Sequence, residues 1–242
     1  MKALILAAGF GSRLAPLTDN ISKSLVEVNG KPILVKQIEN LLENGITDIT
    51  IVSGYKAEVL ENAVHSMYPD ISIIRSVNYA TTNNMYSAYI AKDAMSGDSF
   101  LMMNADVFYD ASIVTALLSW PSPNAIATDI GNYLEESMKV VQKEKRLVQI
   151  SKAITKEEAL GTSIDVYKFS TEGAKAFFEK CSEYINEKKE MKLWSEVALN
   201  DILSEVEFQA CPLVGRWFEI DNHEDLAAAK MLFACKRDGV SE

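Results

Sequence analysis

Histidine and cysteine are scarce in this chain, with two of the first and three of the second among 242 residues. Cys181, Cys211 and Cys235 are odd in number, far apart and without C-x-x-C spacing. That excludes a zinc ribbon, a redox pair and a disulfide scaffold, and leaves inert thiols suited to a reducing cytoplasm. Positive charge is also in short supply: 24 basic residues face 34 acidic ones, for a net charge of -10 and a pI near 4.9. Such a chain has no electrostatic footprint for a nucleic-acid backbone and no basic run that would seek an anionic membrane. The N-terminal apolar run from Ala3 to Gly11 is too short to span a bilayer, and it leads into Ser12-Arg13 rather than a cleavage site. The expected setting is therefore the cytoplasm, with no nucleic-acid or membrane partner. Repeats, low-complexity tracts and linkers are absent from the sequence.

What is present is a core-forming composition, 48% hydrophobic and 24% charged, in a pattern that alternates between two periods. Ala3–Ala7 is a continuous apolar run of the kind that fills a central parallel strand. The apolar spacing predicts helices over 33–42, 56–67, 86–95 and 111–118, with strands over 49–52, 71–74 and 100–103 between them; Pro121 and Pro123 stop the fourth helix. This rhythm implies an α/β fold with a doubly wound, mostly parallel Rossmann-like sheet. After Asn124 it changes to four strands (125–128, 138–141, 147–150, 163–169) with little helix between them, a small antiparallel insertion expected at the sheet edge. Helices over 171–186 and 193–203, strands over 206–210 and 217–220 and a helix over 224–233 follow. A single domain is favoured over two, with residues 1–123 as a nucleotide-binding half and 124–242 as an acceptor-binding half.

At the end of the first strand stands Leu6-Ala-Ala8-Gly9-Phe-Gly11-Ser12-Arg13-Leu14. A glycine loop between a strand and a helix lets backbone N–H groups approach an anion closely. Two common motifs are excluded. Leu14 stands where the dinucleotide fingerprint needs its third glycine, and no Gly-Lys-Ser/Thr is present for a P-loop. What remains is a loop with Arg13 inside it and Lys23 ten residues on: a planar fork of donors for phosphate oxygens, and a point charge able to follow charge onto a leaving pyrophosphate. A tight turn with two solvated cations would give the same spacing.

The longer run Leu6 to Thr18, with Lys23-Ser-Leu25 and Gly30-Lys-Pro32, closely resembles the N-terminal signature of the sugar-phosphate and cytidylyl nucleotidyltransferases. Ser22 departs from it, since the family usually has proline before the lysine. Gly54-Tyr55, Asn104-Ala-Asp106 and Trp217-Phe-Glu-Ile-Asp221 look like further landmarks of the family. The resemblance implies that Arg13 and Lys23 bind nucleotide phosphates, with Leu6, Ala8, Gly9, Gly11, Ser12, Gly54 and Tyr55 around them, and that Asp106 and Asp221 hold a catalytic Mg2+. The two aspartates also make sense on their own, because each follows an apolar strand and so projects from its carboxyl end, where α/β sheets bind ligands. The reaction implied is attack of an acceptor phosphate or phosphonate oxygen on the α-phosphorus of a nucleoside triphosphate. An acceptor already ionised at neutral pH needs no general base, which suits a chain whose His65 falls on a predicted surface helix and whose His223 adjoins Asp221.

Asn83-Asn84-Met85-Tyr86-Ser87 resembles the Asn-Asn-x-Tyr-Ser run of CTP:phosphocholine cytidylyltransferases. It nominates Asn84 and Ser87 for a cytosine edge and CTP as the nucleotide, although a plain asparagine helix cap would read alike. Met85, Tyr86, Tyr89 and Ile90 suit either a subunit interface or a buried helix face, so monomer and homodimer both stand. For the acceptor, Lys139 and Lys152 lie where the family places phosphate contacts, and Thr162 sits on a strand that resembles the one closing over the acceptor. Trp194 and Glu196 offer an aromatic face and a carboxylate to a cationic head group. The alternatives are a sugar-1-phosphate enzyme using UTP or dTTP, and a non-catalytic nucleotide-binding regulatory domain. The second would have no chemical reason to retain Arg13, Lys23, Asp106 and Asp221 together.

Overall fold

The computed structural model describes residues 1–234. In chain order the elements are β1 (Lys2–Ala7), β2 (Glu27–Val28), β3 (Lys31–Pro32), α1 (Ile33–Glu43), β4 (Ile49–Ser53), α2 (Ala57–Met67), β5 (Ser72–Arg75), α3 (Asn84–Ile90), α4 (Lys92–Met95), β6 (Phe100–Asn104), β7 (Val107–Tyr109) and α5 (Ser112–Ser119). There follow β8 (Ala125–Ile130), β9 (Lys139–Lys143), β10 (Arg146–Ser151), β11 (Gly161–Phe169), α6 (Thr171–Ser182), α7 (Ser195–Ile202), β12 (Gln209–Pro212), β13 (Trp217–Glu219) and α8 (His223–Leu232).

The expected sheet is present. Strands β5, β4, β1 and β6 pair in parallel in that order, with β1 at the centre. Because successive side chains of a strand face opposite ways, β1 feeds two cores. Ala3, Ile5 and Ala7 join Leu34, Ile38, Leu60, Val64 and Val114 of α1, α2 and α5 on one face. Leu4 and Leu6 join Met85, Phe177, Phe178 and Leu199 of α3, α6 and α7 on the other. A continuous apolar run is thus required at β1, where both faces are dry.

The antiparallel stretch joins this sheet at its β6 edge, as expected, and continues it. β11 pairs antiparallel with β6 through Val166–Phe169, β8 lies beyond it, and β12 runs parallel to β8. The first residues of β11 also pair with β9, and β9 with β10. Between these two sets of partners the register of β11 shifts, between Ser163 and Tyr167, and Asp165 adopts φ 57°. A bulge of this kind re-aims a side chain, and here it turns Asp165 into the cleft.

Several boundaries differ from the sequence expectation. The helix expected over 86–95 begins at Asn84 and breaks at Ala91 into α3 and α4. The helix over 171–186 ends its regular turns at Ser182 and continues as a π-turn, Glu183–Glu187. The strand expected over 206–210 starts three residues later, because Val206 and Phe208 are first spent on filling the core under α6 and α7. The 217–220 strand pairs with β7, outside the main sheet. Met85 is buried, and Tyr89 and Ile90 pack on the same core within the chain. Cys181 and Cys211 are buried and free; Cys235 lies outside the described residues. No helix among the described residues is long and apolar enough to cross a membrane.

Candidate functional site

A cleft of about 400 Å³ opens at the carboxyl ends of β1 and β6 and is walled by the β11 bulge, α3, the start of α7 and the end of β13. Leu6, Ala8 and Gly9 of the glycine loop line it, together with Arg13, Lys23 and Asp106. Gly11 and Ser12 do not face it. Gly11 (φ 62°) passes so close to Lys23 that a Cβ there would lie 2.6 Å from the lysine's Cβ, so its part is to seat the Lys23 stem. Ser22, the departure from the family signature, takes φ -64° and ψ 146°, angles a proline would also take, and its hydroxyl shares a buried hydrogen bond of 3.0 Å with Ser24. Lys23 is therefore held in place without the proline.

Gly54 and Tyr55 stand behind the loop. A Cβ on Gly54 would come within 2.7 Å of the Ala8 carbonyl oxygen, and the Tyr55 N–H donates to that same oxygen at 3.1 Å. Phe10, Tyr55 and Tyr79 form an aromatic triangle beside it, with centroids 5.2, 5.2 and 6.3 Å apart.

Two strand ends that are distant in sequence meet at the floor of the cleft because the Ile220 N–H donates to the Asp106 carbonyl at 2.9 Å. Asp106, Glu219 and Asp221 each offer a carboxylate oxygen, all within 4.8 Å of one another. The Lys23 ammonium donates to Asp106 at 2.9 Å and to Asp221 at 2.6 Å, and Arg13 pairs with Asp221 at 2.8 Å. Burial works against the Asp221 charge, but Lys23 and Arg13 hold its carboxyl below the usual range. Burial also opposes the Lys23 charge, and Asp106 and Asp221 still push that ammonium above its ordinary value.

Glu219 was not among the residues expected from the sequence. Burial and the charges of Asp106 and Asp221 push its pKa up to about 7. The signal was available in Glu219-Ile220-Asp221: in an extended segment residues i and i+2 share a face, and Ile220 between them is fully buried. Three clustered carboxylates, with an Asp106 Oδ1 that is buried and meets no donor, fit a hard divalent cation, which takes carboxylate oxygens.

At the other end of the cleft Lys152, Trp194 and Glu196 line the wall, with Asp165. Lys139 and Thr162 do not, which corrects the expectation for both. Lys139 is fully buried; its ammonium donates to the carbonyls of Glu135 at 2.7 Å and Lys152 at 2.5 Å. Thr162 is buried too, donating to the Asn132 carbonyl at 2.9 Å and accepting from the Leu134 N–H at 3.2 Å. Both satisfy the backbone of the 132–135 turn. Asn84 and Ser87 line the cleft, but the Asn84 amide oxygen accepts from the Ser195 N–H at 2.8 Å and its nitrogen faces Asn104 Oδ1 at 3.4 Å. That amide therefore ties α3 to α7 and β6. Neither histidine is free: His65 meets the Ile71 carbonyl at 3.1 Å, and His223 meets the Ala15 carbonyl at 2.7 Å, pinning α8 to the glycine loop.

A glycine loop, two cations and three carboxylates are gathered where the parallel strands β1 and β6 end, the place at which α/β sheets bind ligands. The Nucleotidyl transferase family profile matches residues 2–137, more than half of the chain. The chain belongs to that family and is a nucleotidyltransferase. It is 41% identical over 110 residues to a choline-phosphate cytidylyltransferase of Streptococcus pneumoniae, a match covering 43% of this chain and 47% of that enzyme. It is 29% identical over 248 residues to a CTP:phosphoglutamine cytidylyltransferase of Campylobacter jejuni, covering 93% and 98%. The solved structure of a CTP:phosphocholine cytidylyltransferase from Streptococcus pneumoniae superposes with a TM-score of 0.79 at 25% identity, covering 95% of this chain and 97% of that one.

Proposed function

We propose that the protein transfers a cytidylyl group from CTP to a small phosphorylated or phosphonate acceptor of the phosphocholine type, releasing pyrophosphate. The observation that carries the reading is the meeting of Arg13 and Lys23 with Asp106, Glu219 and Asp221 at the glycine loop, with distances of 2.6 to 2.9 Å between the cations and Asp106 and Asp221. CTP is supported by two relatives that carry cytidylyltransferase names and by the Asn83-to-Ser87 run. Residues 1–123 supply most of the nucleotide side and 124–242 the acceptor side, with Glu219 and Asp221 returning from the second half to the phosphate group, and the reaction takes place in the cytoplasm.

An acceptor oxygen forms a bond to the α-phosphorus while the bond to the pyrophosphate oxygen breaks, and the electron pair leaves on pyrophosphate. Arg13 is the fork for the triphosphate oxygens, and Lys23 follows the charge that moves to the leaving group. Asp106, Glu219 and Asp221 would hold Mg2+, which when bound neutralises charge on the phosphates. The glycine-loop N–H groups at Ala8 and Gly9 add fixed partial positive charge. Positioning and neutralisation suffice, because the acceptor is already an anion.

A pyrophosphate-release screen tests this reading, with the four nucleoside triphosphates crossed against phosphocholine, phosphoethanolamine, aminoethylphosphonate, inositol phosphate and sugar-1-phosphates. CTP is expected to exceed the others with every productive acceptor. Turnover led by UTP or dTTP on a sugar-1-phosphate overturns it.

A further inference from the structure

Behind the acceptor wall, three oxygens form a line that needs more protons than a tyrosine can supply. Tyr167 Oη lies 2.8 Å from Asp165 Oδ1 and 2.8 Å from Glu196 Oε1. Two hydrogen bonds along this line require two protons, and the phenol brings one. A carboxyl group brings the other. Asp165 is the group placed to do so: its second oxygen already accepts from Asn104 Nδ2 at 3.0 Å, which leaves the oxygen against Tyr167 to carry the proton. Burial, then the charge of Glu196, pushes the Asp165 carboxyl well above the usual range. The Asp165 O–H donates to Tyr167, and the Tyr167 O–H donates to Glu196.

Glu196 is 3% exposed and lines the cleft. Its Oε1 accepts from Tyr167 and, at 3.1 Å, from Ser195 Oγ. Its Oε2 is buried and meets no donor of the protein. An anionic oxygen in that position favours a ligand that brings an N–H. A quaternary ammonium has none and binds instead through ring faces. The nearby ring face is already used, since Lys152 Nζ stands 5.0 Å over the Trp194 ring.

We propose that Glu196 Oε2 is the head-group contact of the acceptor site and selects a short phosphate or phosphonate ending in a primary ammonium over one ending in a quaternary ammonium, with Tyr167 and Asp165 as positioning residues that orient Glu196 and keep the pair at a single negative charge. This rests on the reading of the Trp194–Glu196 end as the acceptor side.

The test is calorimetry on the full chain with Mg2+ and a non-hydrolysable CTP analogue, titrated with phosphoethanolamine and separately with phosphocholine. Phosphoethanolamine is expected to bind at least tenfold more tightly. Glu196→Gln should weaken it at least tenfold while leaving phosphocholine within about twofold. Asp165→Asn should keep the preference, because an amide can donate to Tyr167 and accept from Asn104 as the protonated acid does, whereas Asp165→Ala should lose it. Equal or tighter binding of phosphocholine overturns the proposal, as does a uniform loss of both ligands in Glu196→Gln, failure of Asp165→Asn to keep the preference, or absence of binding by both. Titration with the CTP analogue alone separates the two readings: no nucleotide binding removes the cytidylyl assignment, and nucleotide binding with an indifferent acceptor site removes this one.

Discussion

One cleft contains two groups of carboxylates, and they are neutralised by different means. At the end proposed for the nucleotide Asp106, Glu219 and Asp221 face Lys23 and Arg13, both long side chains, with Arg13 64% exposed. At the end proposed for the acceptor Asp165 and Glu196 have no cation within ion-pairing distance among the described residues; they are joined through the Tyr167 hydroxyl. On the proposed reading, the exposed Arg13 turns from Asp221 to the phosphates while Lys23 stays seated between Asp106 and Asp221, so the first group changes partners in each catalytic cycle. A hydrogen-bonded chain behind the wall has no such freedom. Its geometry is fixed by two hydrogen bonds, which suits the proposed selection of a head group.

The largest effect that would break this contrast is expected from Asp106→Ala. This change removes the carboxylate that pairs with Lys23 and carries an unpartnered buried oxygen. The backbone bond from Ile220 to the residue-106 carbonyl does not depend on the side chain, so the fold should survive with a nearly unchanged Tm. Pyrophosphate release should fall on the order of a thousandfold, and full activity would remove the metal assignment.

Glu219→Gln gives the next largest effect, read as stability against pH in a chelating buffer. The folded pKa is about 7 against an ordinary 4.5, raised by burial and by Asp106 and Asp221. Between those values the folded protein holds more protons than the unfolded chain, so stability falls as pH rises from 4.5 to 7 and then levels. The penalty above pH 7 is about 3 kcal/mol. The glutamine variant should lose that slope, matching wild type near pH 4.5 and exceeding it at pH 8 in denaturant melts. An unchanged slope would mean that Glu219 is not crowded by its neighbours.

The parts of the molecule legible in the sequence are those in which one periodicity or one motif governs. Ala3 to Ala7 reads as a strand because both its faces are dry, and the glycine loop with Arg13 and Lys23 reads as a phosphate site through its resemblance to a long family signature, since a tight turn with solvated cations has the same spacing. The acceptor end was read less well. Glu196 and Trp194 could be nominated, but Asp165 faces the cleft only through a bulge with φ 57° in the middle of β11, and no local spacing encodes that. Gly54 and Tyr55 were expected around the nucleotide, yet they support the Ala8 carbonyl from behind. A motif identifies such residues without distinguishing contact from support. Lys139 and Thr162 were misplaced for a related reason: alternation along β9 and β11 gives the face of each residue, but whether that face opens on a cleft or on a packed turn depends on residues 132–135, which are far from β11 in sequence.

Lys139 allows the smallest but sharpest of these distinctions to be measured. If its ammonium met the acceptor phosphate, Lys139→Met would raise the acceptor KM strongly and leave stability alone. Its position predicts the reverse. The ammonium is fully buried and satisfies the Glu135 and Lys152 carbonyls, so methionine leaves two buried acceptors unpaired at a cost of about 1 to 3 kcal/mol. Lys152 is held only through its backbone by this contact, so the acceptor KM should move by no more than about threefold, by the strength of one lost neutral-acceptor bond transmitted indirectly. Lys152→Met removes a cation that lines the cleft itself, and there KM should rise by about tenfold with little change in Tm. Melting curves and acceptor titrations of the two variants side by side check this. A large KM effect at Lys139 with unchanged stability would return that lysine to the acceptor site and require the wall between the turn and the cleft to open.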